Sequence, residues 1–165
     1  MKAYHWGLFI TLFLSCQLVF AEENDSSTIP TANIDESVAC DQATGRWVQD
    51  EDVEGCRING QAEGVWRFRE KDSTGKPYVK LVTQLHRGKP HGFHKEYYPS
   101  GRLHMDGWMQ EGKENGVWTG YFEGGQQGFQ VHWVKGLREG AVQEWYQNCQ
   151  LSKTGQFKEG QKMGV

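Results

Sequence analysis

Short runs of aromatic and β-branched residues alternate along the chain with glycine-centred breaks. Three aromatic pairs stand at equal intervals, Tyr97-Tyr98, Tyr121-Phe122 and Trp145-Tyr146. Turn signals follow them: Pro99-Ser100-Gly101, Glu123-Gly124-Gly125, and Cys149 in the slot that Gly101 and Gly125 occupy. A second set of breaks, such as Lys135-Gly136-Leu137, bounds the runs on their other side. Runs of this length between Gly, Pro, Asn and Ser breaks predict β-strands joined by tight turns. Glycine at those breaks predicts backbone with positive φ, which a Cβ disfavours.

The breaks are periodic. A G-x3-G pattern opens at Gly60/Gly64, Gly88/Gly92, Gly112/Gly116, Gly136/Gly140 and Gly160/Gly164. From Gly88 onward its first glycine recurs every 24 residues, whereas the step from Gly60 to Gly88 is four residues longer. A fixed period of this size marks a repeat array. Each unit reads as turn, aromatic strand, turn, second strand, so the predicted fold is all-β, an antiparallel β-hairpin array in meander or solenoid form over residues 46–165. One hairpin alone is marginal in water, so stability is expected to be collective between neighbouring units. The extra residues of the first unit are expected in a loop around Lys71–Lys76. The stretch Arg46–Asn59 is expected to add one or two strands, with Trp47 and Ile58 pointing inward. The unit begun at Gly160 and Gly164 is unfinished at Val165, which predicts an open strand edge and, through it, an edge-to-edge homodimer.

The unit Gly112–Tyr121 with its sequel, written G-x3-G-x-W-x2-Y-[YF]-x2-G, resembles a MORN-type repeat, in particular the bacterial YwqK-like variant whose members are often labelled antitoxins. The third unit fits best, with Gly112, Gly116, Trp118, Tyr121, Phe122 and Gly125 all in phase. The second has His94 at the Trp position and the fourth Val142, while the first keeps Trp66 but has Arg69 and Glu70 at the aromatic pair. The resemblance covers about 56–165. It implies an elongated hairpin array used for binding or scaffolding rather than catalysis. It leaves the partner open, because a fold does not fix one.

The N-terminus has a different character. Lys2 precedes an apolar run from Leu8 to Phe20, and Val19-Phe20-Ala21 ends it with a small residue before Glu22. This predicts a secretory signal peptide over 1–21, too short for a comfortable transmembrane helix. A lipoprotein signal ending at Cys16 is the alternative. Residues 22–45 hold Glu22, Glu23, Asp25, Asp35, Glu36 and Asp41 with no lysine or arginine, a composition that predicts a disordered acidic linker. The chain as a whole carries a formal charge of −3; without the leader the array is close to balance. That excludes the concentrated basic face a nucleic-acid binder needs. The expected setting is exported, periplasmic or secreted, with envelope association an option. In an oxidising compartment Cys40 and Cys56 form the preferred disulfide, tying the linker to the first hairpin. Cys149 then remains as a free thiol, an intermolecular link, or the true partner of Cys56.

Candidate chemistry is sparse. If Pro99-Ser100-Gly101 is a turn pairing Tyr98 with Arg102, Glu96 faces His104 and His94 faces Asp106. Side-chain alternation then places His94, Glu96, His104 and Asp106 on one patch, a set suited to Zn²⁺ or Cu²⁺; the competing reading is a solvated polar face. No nucleophile elbow or phosphate-binding loop is present, so no enzyme activity and no cofactor are expected. The binding expectation rests on phase. Trp66, His94, Trp118 and Val142 project on one face together with Tyr98, Phe122 and Tyr146, while Tyr97, Tyr121 and Trp145 take the other. Trp66, Tyr98, Trp118, Phe122 and Tyr146 are therefore the candidate binding residues for a protein partner, against the alternative that these rings are core between hairpins. Other roles for the same surface are neutralisation of a toxin, or a glycan- or lipid-binding module of the cell envelope.

Overall fold

The computed structural model describes Cys40 and residues 45–164. The expected signal peptide, the Cys16 alternative and nearly all of the acidic linker lie outside the described residues. The chain forms twelve strands and, among the described residues, no helix: β1 (Gly45–Gln49), β2 (Val53–Ile58), β3 (Gln61–Lys71), β4 (Pro77–His86), β5 (Lys89–Tyr97), β6 (Leu103–Gln110), β7 (Lys113–Glu114), β8 (Gly116–Tyr121), β9 (Gln127–Val134), β10 (Leu137–Trp145), β11 (Leu151–Lys158) and β12 (Gln161–Met163). They make one antiparallel sheet in chain order, with β7 and β8 both paired to β6. The all-β hairpin array expected from the repeat is what the chain adopts.

Two turn types build it. At Asn59-Gly60, Arg87-Gly88, Glu111-Gly112, Lys135-Gly136 and Glu159-Gly160 both residues have positive φ. That is the type I′ hairpin turn, whose twist matches the twist of the flanking strands. The amides of Gly88, Gly112, Gly136 and Gly160 then donate to the carbonyls of Ala62, Pro90, Glu114 and Arg138, at 2.8 to 2.9 Å. Each turn is thus pinned to the start of the preceding unit. The other turns share one pattern at their closing residues. The amides of Gly75, Gly101, Gly125 and Cys149 bond the carbonyls of Asp72, Tyr98, Phe122 and Tyr146. Their φ values are 83°, 81°, 92° and 65°, so Cys149 takes a left-handed conformation that its sister turns give to glycine.

The four extra residues of the first unit are not in a loop, contrary to the sequence expectation. The Asp72–Lys76 turn has the same hydrogen bonds as its shorter relatives. The additions are Glu70, Lys71, Pro77 and Tyr78, which extend the β3–β4 ladder. That gives strands of 11 and 10 residues, against 9 and 8 for β5 and β6.

One row of side chains crosses the sheet: Val48, Gly55, Trp66, Thr83, His94, Gly107, Trp118, Val131, Val142 and Gly155. Trp66, Thr83, Trp118, Val131 and Val142 in it are buried. The indoles of Trp66 and Trp118 lie flat against Gly55 and Gly107, so that a Cβ on either glycine would fall inside the ring. The reverse face carries a second core of Val65, Val82 and Phe93, with Val79, Tyr97 and Trp108 packed on it. Trp47, expected inward, is 41% exposed, and its indole N–H donates to Gln49 Oε1 at 3.2 Å. Cys40 and Cys56 are joined in a disulfide with Cα atoms 5.2 Å apart, which fixes Cys40 to β2. No described cysteine is a free thiol.

Polar contacts reinforce the N-terminal end. Glu54 bonds Arg67 at 3.0 Å and Arg69 at 2.9 Å, with its side chain only 12% exposed. Arg69 and then Arg67 hold its carboxyl below the usual glutamate value, against the opposing effect of burial. A carboxyl held low in the folded state adds stability above its unfolded value and loses it as pH falls through the folded one. Glu54→Gln is therefore expected to destabilise by about 1–3 kcal/mol at pH 7, the range for hydrogen bonds to charged groups, with the gap to wild type shrinking as pH falls below 4.5; urea unfolding from pH 3 to 7 measures it. Gly107→Ala tests the ring contact. Overpacking against Trp118 is expected to cost about 1–3 kcal/mol, where a strand glycine without such a neighbour gains from the same change.

Candidate binding face

The face that carries the Trp66 row also carries a concavity of about 610 Å³ between β6 and β11. Its floor is the buried row itself, Trp118, Val131 and Val142. Its walls are rings: Tyr98, Phe122, Phe129, Trp133 and Trp145. Polar groups are fewer, with His104, Glu114, Arg138, Glu144 and Ser152 at its margin. The volume falls in the range of small-ligand and side-chain pockets, commonly about 300–1,000 Å³.

The local backbone explains why rings collect here. A β-bulge interrupts the second strand of the hairpins β3–β4, β5–β6, β8–β9 and β10–β11, so Lys80, His104, Gly128 and Ser152 are unpaired extra residues. Each stands opposite the step into Arg69, Tyr97, Tyr121 or Trp145. A bulge re-aims the side chains around it. Trp145 thereby joins Tyr98 and Phe122 in lining the concavity, although simple alternation assigns it to the opposite face. Small residues make room for the rings: a Cβ on Gly120 would meet Phe129, and one on Gly128 would come within 3.3 Å of Phe122. A further periodic set faces the second glycine of each unit. Gly64, Gly92, Gly116 and Gly140 pair with Leu85, Met109, Trp133 and Phe157. Arg138 lies 5.4 Å from the rings of both Trp133 and Phe157, a cation–π clamp that orients one wall. Tyr98 donates its hydroxyl to the Tyr121 carbonyl at 2.7 Å, and Arg102 donates to the Glu123 carbonyl at 2.7 Å. Those two bonds hold one turn against the next.

The candidate binding residues separate into three groups. Trp66 and Trp118 are 3% and 6% exposed and belong to the core row, and Trp118 also floors the concavity. Their indole N–H groups are spent on the Glu63 and Trp108 carbonyls, at 3.2 and 3.1 Å. Tyr98 and Phe122 are half-buried and line the concavity. Tyr146 is 58% exposed and lies outside it. Trp133, Phe129 and Trp145 are the lining residues that phase alone missed. Trp133 was visible as a member of the 24-residue series Leu85, Met109, Trp133, Phe157.

The expected metal set is split. Past the bulge the register slips by one, so Glu96 pairs with Met105, Lys95 with Asp106, and His94 with Gly107. His94 Nε2 lies 3.4 Å and His104 Nδ1 3.8 Å from the Glu96 carboxylate, and the His104 ring packs at a tilt against Tyr98, centroids 4.5 Å apart. Asp106 points to the reverse face. Among the described residues no group of three or more His, Cys, Asp or Glu is arranged to hold a metal ion. The His94 ring instead fills the Trp slot of its unit, with its centroid 5.3 Å from that of Trp118.

Asp106 carries a different signal. Burial pushes its carboxyl above the ordinary aspartate value of 3.8, opposed by a hydrogen bond from Tyr121 and the charge of Lys95. Burial and the Asp106 charge push the Tyr121 phenol up to about 12. The tyrosine is thus a permanent donor to the acid, not a base. An acid raised in the folded state adds stability below its unfolded value and loses it as pH rises through the folded one. The stability of Asp106→Asn relative to wild type should therefore increase steadily between pH 3 and pH 7. The gain is limited, because solvent still reaches part of the carboxyl and screens it. Chemical denaturation of both proteins across that range checks the sign.

No protein-family model matches the chain, and no curated protein matches it. Among solved structures, the crystal structure of the GtfA/B complex bound to UDP and GlcNAc is similar over 68% of this chain, at 11% sequence identity and a TM-score of 0.25. The chain spans 24% of the length of that chain, and a likeness at this level carries no argument.

Proposed function

We propose that this chain is an exported, non-enzymatic repeat protein of the MORN type that binds a protein partner through the ring-walled face and so acts as a scaffold. The observation that carries the reading is the concavity itself. Trp133 and Trp145 on strands, with Tyr98 and Phe122 at the hydrogen-bonded turns that follow β5 and β8, present aromatic surface bordered by few charges. Tyrosine and tryptophan held in that way are favoured anchors of protein interfaces, because little conformational entropy is lost when they are covered. The titrations of three groups are displaced by their surroundings. Those of Glu54, Asp106 and Tyr121 follow from packing and from neighbours that brace the sheet. Export is supported by the signal-like sequence of 1–21 and by the Cys40–Cys56 disulfide, a bond that persists in oxidising compartments.

The test is crosslinking capture by the chain without residues 1–21, from the envelope or secreted fraction of its source. Phe122→Ala with Trp145→Ala is compared with Tyr146→Ala, after circular dichroism shows that all variants are folded. Loss of one protein partner by at least about thirtyfold in the double variant, equivalent to about 2 kcal/mol, with retention in Tyr146→Ala, is the expected result. Retention by the folded double variant, or capture of glycan or lipid in place of protein, would sink the proposal.

A further inference from the structure

The rings of the concavity do more than exclude water. An aromatic ring is negative on its face, so a ring-walled hollow attracts cations. One wall already uses this attraction, with Arg138 held 5.4 Å from the rings of Trp133 and Phe157. The charged side chains of the lining lean the same way: the carboxylates of Glu114 and Glu144 stand against the guanidinium of Arg138. Glu144 has Lys153 at 3.5 Å and stays partly exposed. The Glu114 side chain has no hydrogen bond or ion pair among the described residues. Four rings share the concavity with Glu144. Phe129 is its cross-strand partner, Trp145 follows it in sequence, and Tyr98 and Phe122 stand at the neighbouring turns.

The kind of cation follows from what the walls lack. A primary ammonium or a guanidinium carries N–H donors, and these leave water only for acceptors. The concavity offers few. Glu144 is shared with Lys153, and the Tyr98 oxygen is engaged with the Tyr121 carbonyl at 2.7 Å. A quaternary ammonium has no N–H to satisfy, and ring faces with a carboxylate nearby are the surroundings that suit it. A hollow of about 610 Å³ admits such a head with a short chain attached. The chain's own leader does not answer this field. The stretch 22–44, most of it outside the described residues, holds six acids and no lysine or arginine.

We infer that the concavity is a binding site for a small soluble quaternary ammonium compound of the size of choline. Its trimethylammonium head lies among Tyr98, Phe122, Phe129 and Trp145, and Glu144 answers its charge. This site shares its rings with the proposed protein contact but does not rest on it. Ligand binding is measured on the chain alone, so it can hold where partner capture fails, and the reverse.

Choline is titrated into the full chain by isothermal titration calorimetry. Saturable binding is expected. It should weaken at least about tenfold for the uncharged isostere of choline, in which a tert-butyl group replaces the trimethylammonium. Ethanolamine, which keeps the charge but carries N–H donors, should be as weak as the isostere. Phe122→Ala with Trp145→Ala should weaken choline binding at least about tenfold, and Glu144→Gln about threefold. Tyr146→Ala should leave it unchanged, with circular dichroism checking the fold of each variant. The ligand series is measured on the wild-type chain, so it decides the matter whether or not the double variant folds. Absence of saturable choline binding, equal binding of the isostere or of ethanolamine, or undiminished binding by the folded double variant would overturn the inference. So would retention on phosphatidylcholine vesicles without any response to free choline, since the ligand would then be a membrane head group.

Discussion

The contact on which the sheet is organised is the flat approach of an indole to a glycine on the neighbouring strand. Trp66 on Gly55 and Trp118 on Gly107 leave no room for a Cβ, so ring and glycine must be chosen together. Between these two pairs the same row is filled by Thr83 and His94, and beyond them by Val131 and Val142. Volume is conserved along the row while its distribution changes, as close packing demands. This explains how a unit tolerates His94 or Val142 at the Trp position: the residue before each in the row, Thr83 or Val131, is larger than glycine. It also explains why one face of so thin a sheet excludes water without a second layer over it.

Periodic hydrogen bonds then fix the phase. The turn glycines donate to Ala62, Pro90, Glu114 and Arg138, so each hairpin is registered on the one before it. Stability in such an array is the sum of weak units and their interfaces. Two half-buried acids mark where that sum is reinforced by charge and where it is not. Glu54 sits between two arginines and is held ionised. Asp106, on the reverse face, meets Lys95 and the Tyr121 hydroxyl, and burial still prevails over both. The contacts at β2 and at β6 accordingly respond to pH in opposite senses.

Much of this architecture could be read from the residues. Turn glycines and their spacing are legible because only glycine tolerates the backbone they adopt cheaply, and the meander follows from the absence of any longer connection. The bulges were not legible. Lys80, His104, Gly128 and Ser152 share no chemical type, since a bulge is demanded by sheet twist and not by a side chain. Missing them moved Trp145 to the wrong face and placed Asp106 beside His94, when the ladder puts Gly107 there. The extra length of the first unit was misplaced for a related reason. Glu70, Lys71, Pro77 and Tyr78 resemble loop residues in composition, yet at the end of a ladder paired strands accept them. The burial of Trp66 and Trp118 depends on glycines 11 residues upstream in each case, a pairing that becomes meaningful once the strand order is known.

The same geometry governs where a partner can act. Inside the array every large ring of the central row is answered by a small residue, so its surface is spent on cohesion. Rings become available only where the pattern is disturbed. The bulges disturb it across β6 to β11, where Trp145 joins Tyr98 and Phe122 around a common hollow. Binding capacity in this fold thus arises from departures from the repeat, while the regular positions supply the rigidity that makes those departures recognisable to another molecule.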